Sequence, residues 1–304
     1  MKTRDLLEWL LLGALWGASF LFMRVASPEF GPVALIAMRV TAAAMFLVIP
    51  ILLRKELALI GRFWKQLLLL GALNSAIPFT LFAYATLTMT AGDAAVLNAT
   101  APLFGGLIGY AWFRESLSLQ KVIGLAIGFL GVVILVWGKL SGITAVLPLS
   151  AGLFAAVLYG VAAHFSKRSL KNVPPLVVST GSLIAASLML LPLAALTWPD
   201  NSPTIKAWLC VVALGFGCTA IAYLLYFRLL KNVGPSNAMT VAYLIPVFGI
   251  LWGYLLLNES VTISTWIGGL TVLVGTSLVN MSQKSLPAQV DQTSPSLTPK
   301  ISES

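Results

Sequence analysis

Polar positions along this chain gather in short clusters, and the stretches between them are long and almost free of charge. Ten such runs, at approximately 6–26, 32–53, 66–87, 92–113, 119–138, 147–166, 174–196, 206–228, 234–257 and 263–281, are each about one bilayer long. A hydrocarbon layer of about 30 Å is crossed by about 20 helical residues, and a helix lets such a segment satisfy its own backbone polar groups. The pattern therefore predicts ten transmembrane helices. Turn residues mark the connections: Pro28, Gly31, Pro32, Gly92, Gly142, Pro174, Pro175, Pro199, Pro203, Gly234 and Pro235. Lys2 and Arg4 resemble the charged start of a secretory leader, but the apolar stretch from Leu6 to Ala26 exceeds the about 7–15 residues of a leader core. The first run is expected to be a retained helix. Residues 282–304, rich in Ser, Thr, Pro and Gln, are expected to form a disordered tail.

Composition sharpens this picture. Of 304 residues, 59% are hydrophobic and 10% charged, against about 25% charged in a soluble domain. Asp5, Glu8, Glu29, Glu56, Asp93, Glu115, Asp200, Glu259, Asp291 and Glu303 all fall at run ends or in connections. The net charge of +9 forms no continuous basic patch, so no nucleic-acid partner is implied. The basic residues instead orient the chain. Lys2, Arg4, Arg54, Lys55, Arg62, Lys65, Arg114, Lys121, Lys167, Arg168, Lys171, Arg228, Lys231, Lys284 and Lys300 fall on one side; Arg24, Lys139 and Lys206 fall on the other, and Arg39 lies inside a run. The positive-inside bias then puts both termini in the cytoplasm. Cys210 and Cys218, eight residues apart on one helix, are about 12 Å apart along its axis, too far for a disulfide, and no metal-ligand spacing or cofactor motif is present.

The chain repeats itself. A shift of 144 residues lays Ala94 on Ala238, Pro102 on Pro246, Phe104 on Phe248, Gly105 on Gly249, Leu107 on Leu251, Gly109 on Gly253, Tyr110 on Tyr254, Glu115 on Glu259 and Ser116 on Ser260. Ile123, Gly124 and Gly131 meet Ile267, Gly268 and Gly275 in the same register, and Gly71 and Ala76 meet Gly215 and Ala220. A shift of 143 sets Trp16-Gly17 over Tyr159-Gly160 and Arg24 over Lys167. The expected units are 1–140 and 141–281, each with five runs. An odd number of crossings inverts the second copy in the membrane, which gives a protein two mirror-related ways to open, as a transporter requires.

Ten runs in two halves, a Trp-Gly-x-Ser-Phe stretch (Trp16, Gly17, Ser19, Phe20) and two proline-containing helices ending in Glu-Ser (Ala94 to Ser116, Ala238 to Ser260) resemble the EamA-type family of the drug/metabolite transporter superfamily. The resemblance covers roughly residues 6–281. It implies a bacterial inner-membrane protein, monomeric or homodimeric, that exports amino acids or related small metabolites by alternating access. It also implies a pathway lined mainly by helices 1–4 and 6–9, with helices 5 and 10 peripheral. Trp16, Ser19, Phe79, Tyr84, Asn98, Thr100, Tyr159, Tyr223 and Tyr243 lie on the pathway helices, and each either packs or meets substrate. Trp137, Trp198, Trp208 and Trp266, near run ends, read as interfacial anchors.

Other residues carry readings of their own. Pro78, Pro102 and Pro246 sit inside runs and release the carbonyls of Asn74, Asn98 and Ala242, forming either a plain kink or a polar, flexing floor for substrate. Arg39, about 10 Å inward from Pro32, costs about 2.5–3.5 kcal/mol to insert. It either snorkels and caps carbonyls or meets a substrate carboxylate or phosphate. His164, the only histidine, is either interfacial or a proton-coupling group. Gly105/Gly109, Gly249/Gly253, Gly13/Gly17 and Gly124/Gly128 have the spacing of close helix seams. With no deep carboxylate, organic cations are poor candidates as substrates. An intramembrane enzyme lacks a reactive constellation. The remaining alternatives are transport of other metabolites or drugs, and a non-transporting membrane scaffold or sensor.

Overall fold

Each of the ten apolar runs forms a helix in the computed structural model, which describes residues 2–137 and 143–284. Lys139, Gly142, Lys300 and the tail from 285 onward lie outside the described residues. The helices are α1 (Thr3–Phe30), α2 (Pro32–Leu53), α3 (Trp64–Ala85), α4 (Ala91–Phe113), α5 (Leu119–Val136), α6 (Ile143–Ser169), α7 (Pro175–Leu196), α8 (Ile205–Val233), α9 (Met239–Leu257) and α10 (Ile263–Lys284). A short helix, Leu57–Arg62, sits in the α2–α3 connection. The face from which α1 starts is called the terminal face below, and the opposite one the far face.

Two boundaries depart from expectation. Pro28 lies inside α1 rather than in the connection, and the helix stops only at Gly31, whose φ of 73° leaves the helical region. Near a helix end a proline forfeits one backbone bond without blocking the last turn, and the stop falls to the glycine, which tolerates positive φ. The last helix extends to Lys284, three residues into the expected tail.

Packing follows the repeat. Helix α5 packs on α10 and α2 on α7, each pair joining equivalent helices of the two halves. The α1–α9 and α1–α8 contacts have their counterparts in α6–α4 and α6–α3, and α2–α8 in α7–α3. Local geometry repeats too. Arg114 and Asn258, 144 residues apart, end α4 and α9 in the left-handed conformation at φ 53° and 51°. In each case the next residue, Glu115 or Glu259, donates its N–H to the carbonyl of Gly109 or Gly253. The protein is thus an all-α integral membrane fold of two inverted five-helix repeats.

The α5–α10 seam shows what holds such helices together where lipid gives no hydrophobic drive. A Cβ on Gly131 would stand 2.9 Å from the Gly268 carbonyl, and one on Gly124 2.9 Å from that of Gly275. The two backbones therefore touch directly. Trp198 and Trp208 close edge-on around Phe30 at centroid distances of 6.0 and 5.0 Å, on the far face.

Candidate functional site

The centre of the fold is shaped by two interruptions at equivalent places. Residues Ala72–Ala76 of α3 and Ala213–Ile221 of α8 are π-helical, with Ile77 donating to the Ala72 carbonyl and Ala222 to that of Gly217. Pro78 withholds a backbone donor just beyond the first of them. Single wide turns of this kind occur often at functional sites because they re-aim side chains. In α4 the helix breaks at Ala99–Thr100 and restarts with Pro102 in its first turn, while residues Met239–Tyr243 ahead of Pro246 tighten into a 3-10 segment.

These interruptions surround a cavity of about 320 Å3, lined by Trp16, Ser19, Phe20, Met23, Arg39, Asn74, Phe79, Phe82, Asn98, Tyr159, Tyr223, Tyr226 and Ile245. Both repeats contribute. Arg39 is 4% exposed. Its Nε donates to Thr219 Oγ1 at 3.0 Å, its Nη1 reaches the Met23 sulfur at 3.8 Å, and its guanidinium carbon stands 4.1 Å over the Phe79 ring. Thr219 is itself fixed by donating to the Leu214 carbonyl, five residues back in the π turn. Arg39 therefore neither snorkels nor caps backbone carbonyls. The rings continue around it: Phe82 stacks on Tyr159 at 6.0 Å and meets Phe20 edge-on at 5.5 Å, and Trp16 lies 5.4 Å from Tyr226.

Of the residues singled out from sequence, Trp16, Ser19, Arg39, Asn74, Phe79, Asn98, Tyr159 and Tyr223 line this cavity. Four others lie elsewhere. Tyr84 is 37% exposed near the end of α3. Thr100 turns its hydroxyl to the Leu97 carbonyl at 2.6 Å, stitching the break in α4. Tyr243 accepts from Asn280 Nδ2 on α10 at 2.8 Å. His164 stacks on Phe113 with centroids 4.8 Å apart, and its Nε2 donates to the Gly105 carbonyl at 2.9 Å. Its Nδ1 faces Glu115 at 3.8 Å, in a separate recess with Lys167, Arg168 and Lys171. Sequence reasoning missed Phe20, Met23, Phe82, Tyr226 and Ile245. Phe20 belongs to the Trp-Gly-x-Ser-Phe stretch already noted, and Phe82 and Tyr226 stand about one turn beyond Phe79 and Tyr223.

The two faces of the cavity are unlike. At the far face the first half of α4, Ala91–Asn98, packs on α9, whereas its second half, Ala101–Phe113, has no comparable packing there. A Cβ on Gly249 would meet that of Ala95 at 2.5 Å, while one on its counterpart Gly105 would come no nearer than 3.8 Å to any described residue, the Gly160 Cα. Helix α1 likewise touches the end of α3 and the start of α4, and among the described residues its counterpart α6 makes no comparable contact with the end of α8 or start of α9. The far face is closed and the terminal face is parted.

Hydrogen bonds at Glu259 and Arg24 bridge the closed face. Glu259 accepts from the Ala91 N–H at 3.0 and 3.2 Å, and Arg24 lies 3.6 Å from Glu259 while donating to the Thr86 and Leu87 carbonyls at 2.7 and 2.6 Å. A carboxylate at a helix N-terminus supplies an acceptor for otherwise orphaned donors. Burial pushes the Glu259 carboxyl above its ordinary value, opposed by the Ala91 N–H and by Arg24. On the terminal face, Glu8 pairs with Arg228 at 3.1 Å and Asp5 accepts from Asn232 at 3.3 Å, both contacts joining α1 to α8.

The EamA-like transporter family model matches residues 6–137 and again 146–281. The chain belongs to the EamA-like transporter family. The model thus matches the chain twice, once in each half. Among relatives of this EamA-like chain is an uncharacterized transporter of Archaeoglobus fulgidus, 26% identical over 282 residues, covering 90% of this chain and 98% of that one. The uncharacterized inner membrane transporter YedA of Escherichia coli K12 is 26% identical over 301 residues, covering 95% and 96%. A crystal structure at 20% identity superposes with a TM-score of 0.64 over 94% of this chain and all of the other, which shows the shared fold.

Proposed function

We propose that this EamA-like transporter exports amino acids or related small metabolites across a bacterial inner membrane by alternating access, with the central cavity as its substrate site. One observation carries the reading: a cavity lined by both inverted repeats is sealed on one face and parted on the other, with equivalent helices making unequal contacts. Exchanging the two sets of contacts between repeats generates the opposite state without a new fold. The excess of basic residues on the terminal face supports a cytoplasmic location for that face and both termini. The parted cavity then faces the cytoplasm, where an exporter loads. The inner-membrane assignment follows YedA, and residues 1–140 and 141–281 serve as the two moving repeats. The cavity holds about ten water-sized groups at about 30 Å3 each, which suits a single small metabolite.

The test is flux into liposomes holding the purified protein, with labelled amino acids and related metabolites and imposed gradients. Saturable uptake supports the reading. Absence of any flux, together with no reaction of an Asn98→Cys variant with membrane-impermeant thiol reagents from either side, would leave a scaffold or sensor.

A further inference from the structure

The cavity is charged, but with one sign only. Among its lining residues Arg39 is the one ionisable side chain charged at neutral pH, and no carboxylate stands beside it. Cys218, Tyr159 and Tyr223 interact electrostatically with the guanidinium, and groups of these types are neutral in that range. The carboxylates at the ends of the surrounding helices have partners of their own, Asp5 among them on Asn232. Glu259 is held by Ala91 and Arg24, Asp93 by Thr265 on α10, Glu115 by Lys121 at 3.5 Å, and Glu8 by Arg4 and Arg228. With Nε on Thr219 and Nη1 on the Met23 sulfur, Arg39 keeps its Nη2 donors without an acceptor among the described residues. Packing over Phe79 fixes the plane in which an acceptor can approach. A guanidinium so held matches a carboxylate, which accepts in that plane.

The rest of the wall treats the rest of the substrate. Seven rings, those of Trp16, Phe20, Phe79, Phe82, Tyr159, Tyr223 and Tyr226, surround the charge, and only Ser19, Asn74 and Asn98 add further non-aromatic polar groups. An α-ammonium group would sit one carbon from the carboxylate. It would bring a second positive charge within about 5–6 Å of Arg39, at an effective dielectric far below that of water. Its three donors would find no anionic acceptor among the lining residues.

Resting on the reading of this cavity as the transport site, we infer that its preferred substrate is a small monocarboxylate with a flat or apolar body and no ammonium group, of the class that deaminated amino acids and aryl-alkyl acids represent. Amino acids themselves are then secondary substrates of the same site.

Four probes of matched shape decide the matter: 3-phenylpropanoate, phenylalanine, 3-phenylpropanamide and phenethylamine, titrated calorimetrically into the purified full chain and tested as competitors of flux in liposomes. The expected result is that 3-phenylpropanoate binds at least tenfold more tightly than phenylalanine, with the amide weaker than the acid and the amine not binding. The R39Q variant should lose the acid's advantage over the amide, and R39K should keep part of it. The ligand series on the unaltered protein stands even where R39Q does not fold. Phenylalanine binding as tightly as the acid, or no binding of any probe, overturns the inference. Selective acid binding without flux of any solute would instead sink the transporter reading, and flux of phenylalanine with no preference for the acid would sink this inference alone.

Discussion

The Glu259 carboxylate accepts the Ala91 N–H with both oxygens, whereas Glu115, its counterpart 144 residues earlier, has Pro235 at the position equivalent to Ala91 and so no N–H to accept. The far-face closure therefore cannot be reproduced bond for bond at the terminal face. Helix N-cap losses cost about 0.5–2 kcal/mol, enough to change the ratio of two states up to about thirtyfold. In E259A the far face is expected to open more often. A Met23→Cys reporter, in a background lacking Cys210 and Cys218, should then label several-fold faster with an impermeant thiol reagent added at the far side. An unchanged labelling rate would mean that Glu259 does not hold the closure.

The pH dependence of that closure has a definite sign. In the closed state burial raises the Glu259 carboxyl above its ordinary value, against the pull of Arg24 from α1 and Ala91 from α4 and with Asp93 of α4 adding to the rise. Once the face opens the group is solvated and returns toward about 4.3. The state with the higher value takes up the proton first, so acidification favours closure. The gain builds as pH falls through the raised value and is complete below the ordinary one. Far-side labelling of the same reporter, divided at each pH by its rate in the denatured protein to remove the thiol's own pH dependence, should slow as pH is lowered from neutral, and E259Q should flatten the profile. A slope of the opposite sign would show that Arg24 outweighs burial.

The glycine seam between α5 and α10 makes a stability prediction. A side chain at Gly131 would run into the backbone nitrogen of Val272 at 2.6 Å as well as the Gly268 carbonyl, and a backbone cannot swing aside as a flexible side chain can. Overpacking of this kind costs about 1–3 kcal/mol. G131V should lower the thermal midpoint in detergent by several degrees, while G61A, where nothing lies within 4 Å, should leave it unchanged.

Tyrosines offer an internal control for the site. Tyr159 lines the cavity and stacks on Phe82, whereas Tyr84 is partly exposed outside it. Y159L is expected to reduce flux at least fivefold and Y84L to leave it within twofold. Equal effects would remove the cavity from the pathway.

His164 keeps its ring in place through Phe113 and the Gly105 carbonyl, and lies outside the central cavity. A glutamine retains a donor for that carbonyl but cannot take up a proton. H164Q is expected to keep more than half of the flux and to leave any response to a pH gradient unchanged. Loss of a gradient response in this variant alone would make His164 the coupling group.

The fold was legible because lipid imposes a simple code. Ten apolar runs of bilayer length fix the helices, and an odd number per repeat fixes the inversion; neither depends on side-chain detail. The site was legible only in part. Arg39 declares itself by the cost of placing it in a membrane, and Asn74 and Asn98 by the prolines four residues on. Tyr84 and Tyr243 carry the same sequence signal as Tyr159 and Tyr223, and which face of a helix each occupies is decided by packing against other helices. The π turn at Ala213–Ile221, which has no proline beside it, was not readable at all. Its wide turn arises where Gly215 lets α8 approach Ala42 and the Arg39 carbonyl on α2.

The α5–α10 seam pairs each half of the protein with its own counterpart, so exchanging the roles of the two repeats turns that interface into itself. Under the proposed alternating access, whatever free energy its glycines contribute is the same before and after the cavity changes sides, and it cancels from the cycle. Such a joint can be made as strong as folding demands without slowing turnover or biasing its direction. The weak, unequal closures at the two mouths are left to set the pace.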